Sequence, residues 1–266
     1  MDEEMGTLRD RLLTGTEVLC GAFLNLPSPA LTEMLGVAGF DFAILDMEHG
    51  AFNPERTEDC LRAAAAVGMS CMVRLGELNP HVVQLVLDMG ADGIQVPEVE
   101  TAEEATRAVT LSHFPPNGTR GYGSTTRAAR YGTVERNRVL READQRTTVC
   151  VQIESRKGVE NISEIVSTSG MDVVFIGTSD LSLSFGVDSP KHPDIVCLVD
   201  KMVPTITKAG KVAGIFLSDW SQAPRLMELG VRYFAVSAAL LVKDAFCQRV
   251  EKFAALKERP LIARPR

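Results

Sequence analysis

Eight short apolar runs recur along the chain, at residues 18–26, 42–47, 71–75, 93–99, 148–153, 173–176, 212–217 and 233–236. Most are apolar at nearly every position, the pattern of strands covered on both faces of a parallel sheet. Helix-like stretches lie between them. Those at 29–38, 55–66 and 79–89 run into Gly39, Gly68 and Gly90, residues suited to end a helix in the left-handed conformation. Eight alternations of strand and helix predict an α/β fold, a (β/α)₈ TIM barrel. A doubly wound open sheet is the alternative. It would need a glycine-rich turn after its first strand, and Leu24-Asn25-Leu26-Pro27-Ser28 offers none.

Connections are short except at 115–144, where a Gly- and Arg-rich loop and another helix intervene, the expected lid or inter-subunit element. No Pro/Ser-rich linker interrupts the chain, so residues 1–266 are expected to form one barrel domain. Composition narrows the class. At 45% hydrophobic and 24% charged, the chain is neither disordered, collagen-like nor a disulfide scaffold. With 35 acidic against 28 basic residues the formal charge is −7, which argues against nucleic acid or an anionic membrane as partner. The acidic start Met1-Asp2-Glu3-Glu4 is unlike a secretion signal, and no apolar run is long enough to span a membrane. A cytoplasmic protein is expected, its six cysteines reduced and mostly buried because none forms a C-x-x-C pair.

In such a barrel the active site is built from the C-terminal ends of the strands. Strand 2 ends in Asp46-Met47-Glu48-His49, strand 3 in Arg74, strand 4 in Val96-Pro97-Glu98, strand 5 in Gln152-Ile153-Glu154, and strand 6 leads to Thr178-Ser179-Asp180. Gln152 and Glu154 are two apart on a strand and face the same way. With Asp180 on the next strand they bring two carboxylates near one point, a set suited to Mg²⁺ or Mn²⁺; an ordinary salt-bridge network is the bland reading. Zinc is disfavoured, since no His or Cys stands beside these carboxylates in sequence. Arg74 at a buried strand end needs an anion, either those carboxylates or a carboxylate substrate. His49 is a candidate acid/base, and Asp88, in the helix after strand 3, could orient its ring; otherwise Asp88 is a solvated helix charge.

Taken together, Asp46-Met47-Glu48-His49, Val73-Arg74, Gly118-Thr119-Arg120-Gly121-Tyr122-Gly123, Gln152-Ile153-Glu154 and Gly177-Thr178-Ser179-Asp180 resemble the HpcH/HpaI aldolase family, class II metal-dependent pyruvate aldolases. The resemblance implies a barrel of the phosphoenolpyruvate/pyruvate superfamily, a homohexamer, and a C-terminal helix exchanged between subunits. It implies that Glu154 and Asp180 hold a divalent metal (Mg²⁺ or Mn²⁺, or Co²⁺) and that Gln152 and the Ser179 backbone bind substrate. Arg74 becomes a substrate ligand and transition-state stabiliser, and His49 the general base, with Asp88 raising its basicity. The reaction implied is reversible cleavage of a 4-hydroxy-2-oxo acid to pyruvate and an aldehyde through a metal-stabilised enolate. Relatives that use oxaloacetate, in citrate-synthase-like Claisen condensation or in decarboxylation, keep the same machinery and supply the alternative.

No lysine stands at the ends of strands 5 and 6 except Lys157, beyond Glu154, so a Schiff-base mechanism is disfavoured. A barrel that binds without catalysis is disfavoured too, because the metal carboxylates, Arg74, His49 and Asp88 occur together. Two positions depart from the family pattern: Thr178 stands where proline is usual, and Glu98 where an apolar residue is common. Glu98 either sets acceptor preference or bridges to Arg120, Arg127 or Arg130 in the inserted loop.

Overall fold

The computed structural model describes residues 6–257, and every apolar run is a strand: β1 (Leu19–Leu24), β2 (Phe42–Asp46), β3 (Ser70–Arg74), β4 (Gly93–Val96), β5 (Thr148–Ile153), β6 (Val173–Ile176), β7 (Val212–Phe216) and β8 (Val231–Ser237). Neighbours pair in parallel in sequence order, and β8 returns to β1. That last pairing closes a (β/α)₈ barrel and removes the open-sheet alternative. The helices are α1 (Leu8–Leu13), α2 (Pro29–Val37), α3 (Pro54–Ala66), α4 (Pro80–Asp88), α5 (Ala102–Ser112), α6 (Arg136–Arg146), α7 (Arg156–Glu160), α8 (Ile162–Ile165), α9 (Thr178–Ser184), α10 (Pro193–Lys208), α11 (Ala223–Leu229) and α12 (Ala238–Lys257).

Local chemistry fixes where the outer helices begin. α2, α3 and α4 each carry proline in the first turn behind a Ser or Asn cap. The Ser28 hydroxyl accepts from Leu31 N–H at 3.2 Å, Asn53 Oδ1 from Arg56 N–H at 2.8 Å, and Asn79 Oδ1 from His81 N–H at 2.9 Å. Each helix then stops where the sequence predicts, with Gly39, Gly68 and Gly90 at positive φ.

Two apolar layers follow. One, between helices and sheet, includes Leu24, Leu45, Val73, Ile94, Val151 and Ile176. The other fills the barrel with Leu19, Phe42, Ile44, Met72, Phe175 and Tyr233, and Leu8 and Leu12 of α1 close it from the N-terminal side. Phe42 stacks on Tyr233 at 4.2 Å in room that Gly21 leaves, since a Cβ on Gly21 would collide with the Phe42 ring.

The floor, where the strands begin, is clasped in a repeated way. Asp41, Asp92 and Asp172 immediately precede or open β2, β4 and β6, and one oxygen of each accepts a backbone N–H of the preceding strand: Cys20 (2.8 Å), Cys71 (2.8 Å) and Val149 (2.9 Å). The other oxygen pairs with an arginine, Arg11 at 2.6 Å, Arg146 at 2.6 Å and Arg9 at 3.1 Å. At β8 the corresponding residue is Arg232, which donates to the carbonyls of Leu12 and Gly15 behind α1.

The inserted segment corrects an expectation. α5 runs back from the strand ends towards the floor, so the loop after it and α6 lie at the N-terminal side of the barrel, and the segment is no lid over its own mouth. It is tied to the end of α4: Arg127 donates to the Met89 carbonyl at 2.8 Å, and Arg120 pairs with Asp88 at 2.9 Å. α12 leaves Leu241, Phe246 and Val250 exposed. No described helix is long and apolar enough to cross a membrane. All six cysteines are free; Cys60, Cys71 and Cys150 are buried, but Cys197 and Cys247 are exposed, so the thiols are less uniformly buried than expected.

Candidate active site

The two-residue alternation of the strands delivers polar side chains to the mouth of an otherwise apolar barrel. On β2, Asp46 follows Phe42 and Ile44 on the inward face; on β3, Arg74 follows Met72. Asp46 and Arg74 are register partners, and their side chains meet in a bidentate pair of 2.9 and 2.7 Å. Glu48 takes a third guanidinium nitrogen at 2.9 Å, and the Phe23 ring lies 4.7 Å beneath. Arg74 thus has its anions, and both come from β2 and the turn after it. Each nitrogen of the group faces a carboxylate, Asp46 through hydrogen bonds and Glu48 as an ion pair, and N–H groups on Nη1 and Nη2 remain for another oxygen.

Beside it stands Glu154, buried on the turn after β5. Gln152 donates a short hydrogen bond to its Oε2, and Glu98 N–H donates to Oε1 at 2.8 Å. Glu98 is held at φ 53°, a strained conformation for a residue with a Cβ, and that conformation aims its N–H at the carboxylate. Gly177 is required here, because a Cβ would press on Glu154 Oε2 and Gln152 Nε2. Burial pushes the Glu154 carboxyl above the ordinary carboxylate range, and the charge of Asp180 adds to this against the two hydrogen bonds. Burial likewise raises Glu48, with Arg74 opposing and Glu154 reinforcing.

Glu48, His49, Glu98, Glu154 and Asp180 line one open cavity of about 470 Å³. The structure therefore brings His49, Glu154 and Asp180 to one mouth, with Arg74 and Gln152 at its base. Ser179, in the first turn of α9, lines the neighbouring cleft with Phe216 and Leu217. Among the described residues no cluster of three or more His, Cys, Asp or Glu side chains is arranged around one metal position. The pair Glu154 and Asp180 nevertheless fits a hard divalent cation. Both offer carboxylate oxygens, and a buried carboxyl burdened by a second negative charge is relieved by a cation with waters completing its shell.

Asp88 is not brought to His49. Helices run antiparallel to the strands, so the last residue of α4 lies at the floor, where Asp88 accepts from Arg120, while His49 stands exposed at the mouth with Glu48 at 3.8 Å. Glu98 makes none of the bridges expected of it either: Arg120 pairs with Asp88, Arg127 with a backbone carbonyl and Arg130 with Glu142. Asp46 and Glu48 stand in the strand-2 motif without a role assigned to them, and Gln95 carries no expectation at all. Their signal was the same-face spacing from Ile44 to Asp46 and from Gly93 to Gln95.

A family model described as HpcH/HpaI aldolase/citrate lyase matches residues 19–240. A 5-keto-4-deoxy-D-glucarate aldolase of Salmonella arizonae is 34% identical over 90% of this chain and 93% of its own. A hydroxypyruvate/pyruvate aldolase of Paraburkholderia phytofirmans is 35% identical over 86% of this chain and 90% of its own. The crystal structure of a family protein from Burkholderia cenocepacia superposes with a TM-score of 0.88 at 34% identity, covering 93% of this chain and 98% of that one. The motifs at the strand ends, the closed barrel and these matches agree, and the chain belongs to the HpcH/HpaI aldolase/citrate lyase family.

Proposed function

We propose that the protein is a divalent-metal-dependent pyruvate aldolase, cleaving a 4-hydroxy-2-oxo acid to pyruvate and an aldehyde and rejoining them in reverse. The observation that carries this is the buried, carboxylate-clamped Arg74 beside the Glu154–Asp180 pair, with an imidazole at the rim. Glu154 and Asp180 would hold Mg²⁺, Mn²⁺ or Co²⁺, which when bound supplies Lewis-acid electron withdrawal to the 2-oxo acid. Arg74 offers its remaining N–H groups to the oxygen on which charge gathers as the carbon–carbon bond breaks. Its clamp by Asp46 and Glu48 fixes that position before substrate arrives. Gln152 and the backbone at Ser179 orient the pyruvate half. His49, exposed beside the cavity, takes the C4-hydroxyl proton directly or through a water and returns it in the synthetic direction.

Asp88, at the floor of its own barrel, would help His49 only from a neighbouring subunit of the expected hexamer, with α12 exchanged through its exposed apolar residues. Co-assembled His49→Ala and Asp88→Asn subunits should then recover activity that neither variant has alone. The main test is chelation. EDTA should abolish pyruvate release, followed with lactate dehydrogenase, and Mg²⁺, Mn²⁺ or Co²⁺ should restore it. A borohydride-trapped pyruvate adduct would overturn the mechanism, and CoA release with oxaloacetate and acetyl-CoA would turn it into a Claisen condensation.

A further inference from the structure

Gln95 lies on the inward face of β4, in register with Arg74 on β3 and Cys150 on β5, and is wholly inaccessible to solvent. A buried amide in this layer is costly unless satisfied, and its Oε1 has no hydrogen-bond partner among the described residues. Its Nε2, however, donates to Gln152 Oε1 at 2.6 Å, and Gln152 Nε2 donates in turn to Glu154 Oε2. The direction of this relay follows from its end. An ionised carboxylate only accepts, so Gln152 must turn its NH₂ to Glu154 and its carbonyl to Gln95, which must then present NH₂.

We propose that Gln95 is a positioning residue: it fixes the side-chain amide of Gln152, and through it the Glu154 carboxylate, for the divalent cation and pyruvate. This rests on the function proposed above. An apolar side chain of similar length would remove the orphaned Oε1 of Gln95 but leave Gln152 Oε1 without its donor, so for the fold one buried orphan replaces another. Burying the amide brings no net hydrogen-bonding gain to the fold, and its one hydrogen bond points at the site.

The test uses the full-length protein stripped of metal. Gln95→Met should melt near the wild-type temperature, yet bind Mn²⁺ about tenfold more weakly by titration calorimetry, the lower end for outer-shell partners of metal ligands. In exchange of the pyruvate methyl protons with D₂O, KM for pyruvate should rise more than kcat falls. In a Gln152→Met background the Gln95→Met change should do nothing further, because the relay is already cut. Gln95→Asn, whose shorter amide is withdrawn from Gln152, should weaken Mn²⁺ binding similarly and decides the matter if the apolar variant does not fold. Unchanged Mn²⁺ affinity in a folded Gln95 variant, or losses from Gln95→Met and Gln152→Met that add in full, overturns the role. A wild-type protein that binds Mn²⁺ but exchanges no pyruvate protons overturns the proposed function instead, and the Mn²⁺ titrations still decide the role of Gln95.

Discussion

Floor and mouth of this barrel are built from the same acidic and guanidinium groups, but only at the floor are they matched. There, Asp41, Asp92 and Asp172 each give one oxygen to a backbone N–H and the other to an arginine. At the mouth, Asp46 repeats the pair with Arg74, but that arginine is shared with Glu48, and Glu98, Glu154 and Asp180 stand around the same opening with His49 at its rim. A carboxylate with both oxygens engaged by cation and backbone staples one strand to the next. At the mouth, burial first and the charge of Asp180 after it raise the proton affinity of Glu154, which creates a demand for positive charge. Conservation of residue type between the two ends therefore hides a division between holding the chain and handling a ligand.

That division can be broken in a graded way. The largest effect is expected from Glu154→Gln, which should lower kcat/KM by about 10³-fold while leaving the melting temperature equal or higher, because burial already disfavours the charged form. A fall in stability matching the fall in activity would mean that Glu154 behaves like a floor residue. Next comes Asp172→Ala. It removes a carboxylate only 2% exposed from Arg9 and from Val149 N–H, and should cost about 3 kcal/mol in urea unfolding with kcat within about twofold of wild type. Lost activity at unchanged stability would erase the contrast from the other side. The smallest change is Glu98→Gln: relative kcat/KM for an acidic over a neutral aldehyde should rise about fivefold, the ~1 kcal/mol scale of like charges kept in bulk water. An unchanged ratio would remove Glu98 from acceptor choice.

The strands were legible because burial on both faces leaves an unbroken apolar run, and Glu154, Asp180, Arg74 and His49 were legible because charge at the end of such a run has few structural uses. Asp88 and the inserted loop were misplaced because proximity in a motif says nothing about which end of a barrel a residue occupies. Chain direction does, since a helix that returns from a strand end must finish at the floor. Gln95 was hidden inside a run that reads as apolar, where only the alternation of faces distinguishes an inward amide from its neighbours. The positive φ of Glu98 has no signature in the sequence, for such a turn suggests glycine or asparagine and not glutamate.

The aspartate clasps also bear on how the chain reaches its fold. Each joins residues only 21, 21 or 23 positions apart, across a single strand–helix–strand unit, so the loop to be closed before the bond forms is short. Among the described residues the seam between β8 and β1 has no such clasp, and Arg232 there reaches Gly15 and Leu12 instead, 217 and 220 positions away. Assembly should therefore proceed by two-strand units that set early, with the ring shut last. In pulse-labelled refolding, amides of Cys20, Cys71 and Val149 should gain protection before those of β8, and simultaneous protection would contradict that order.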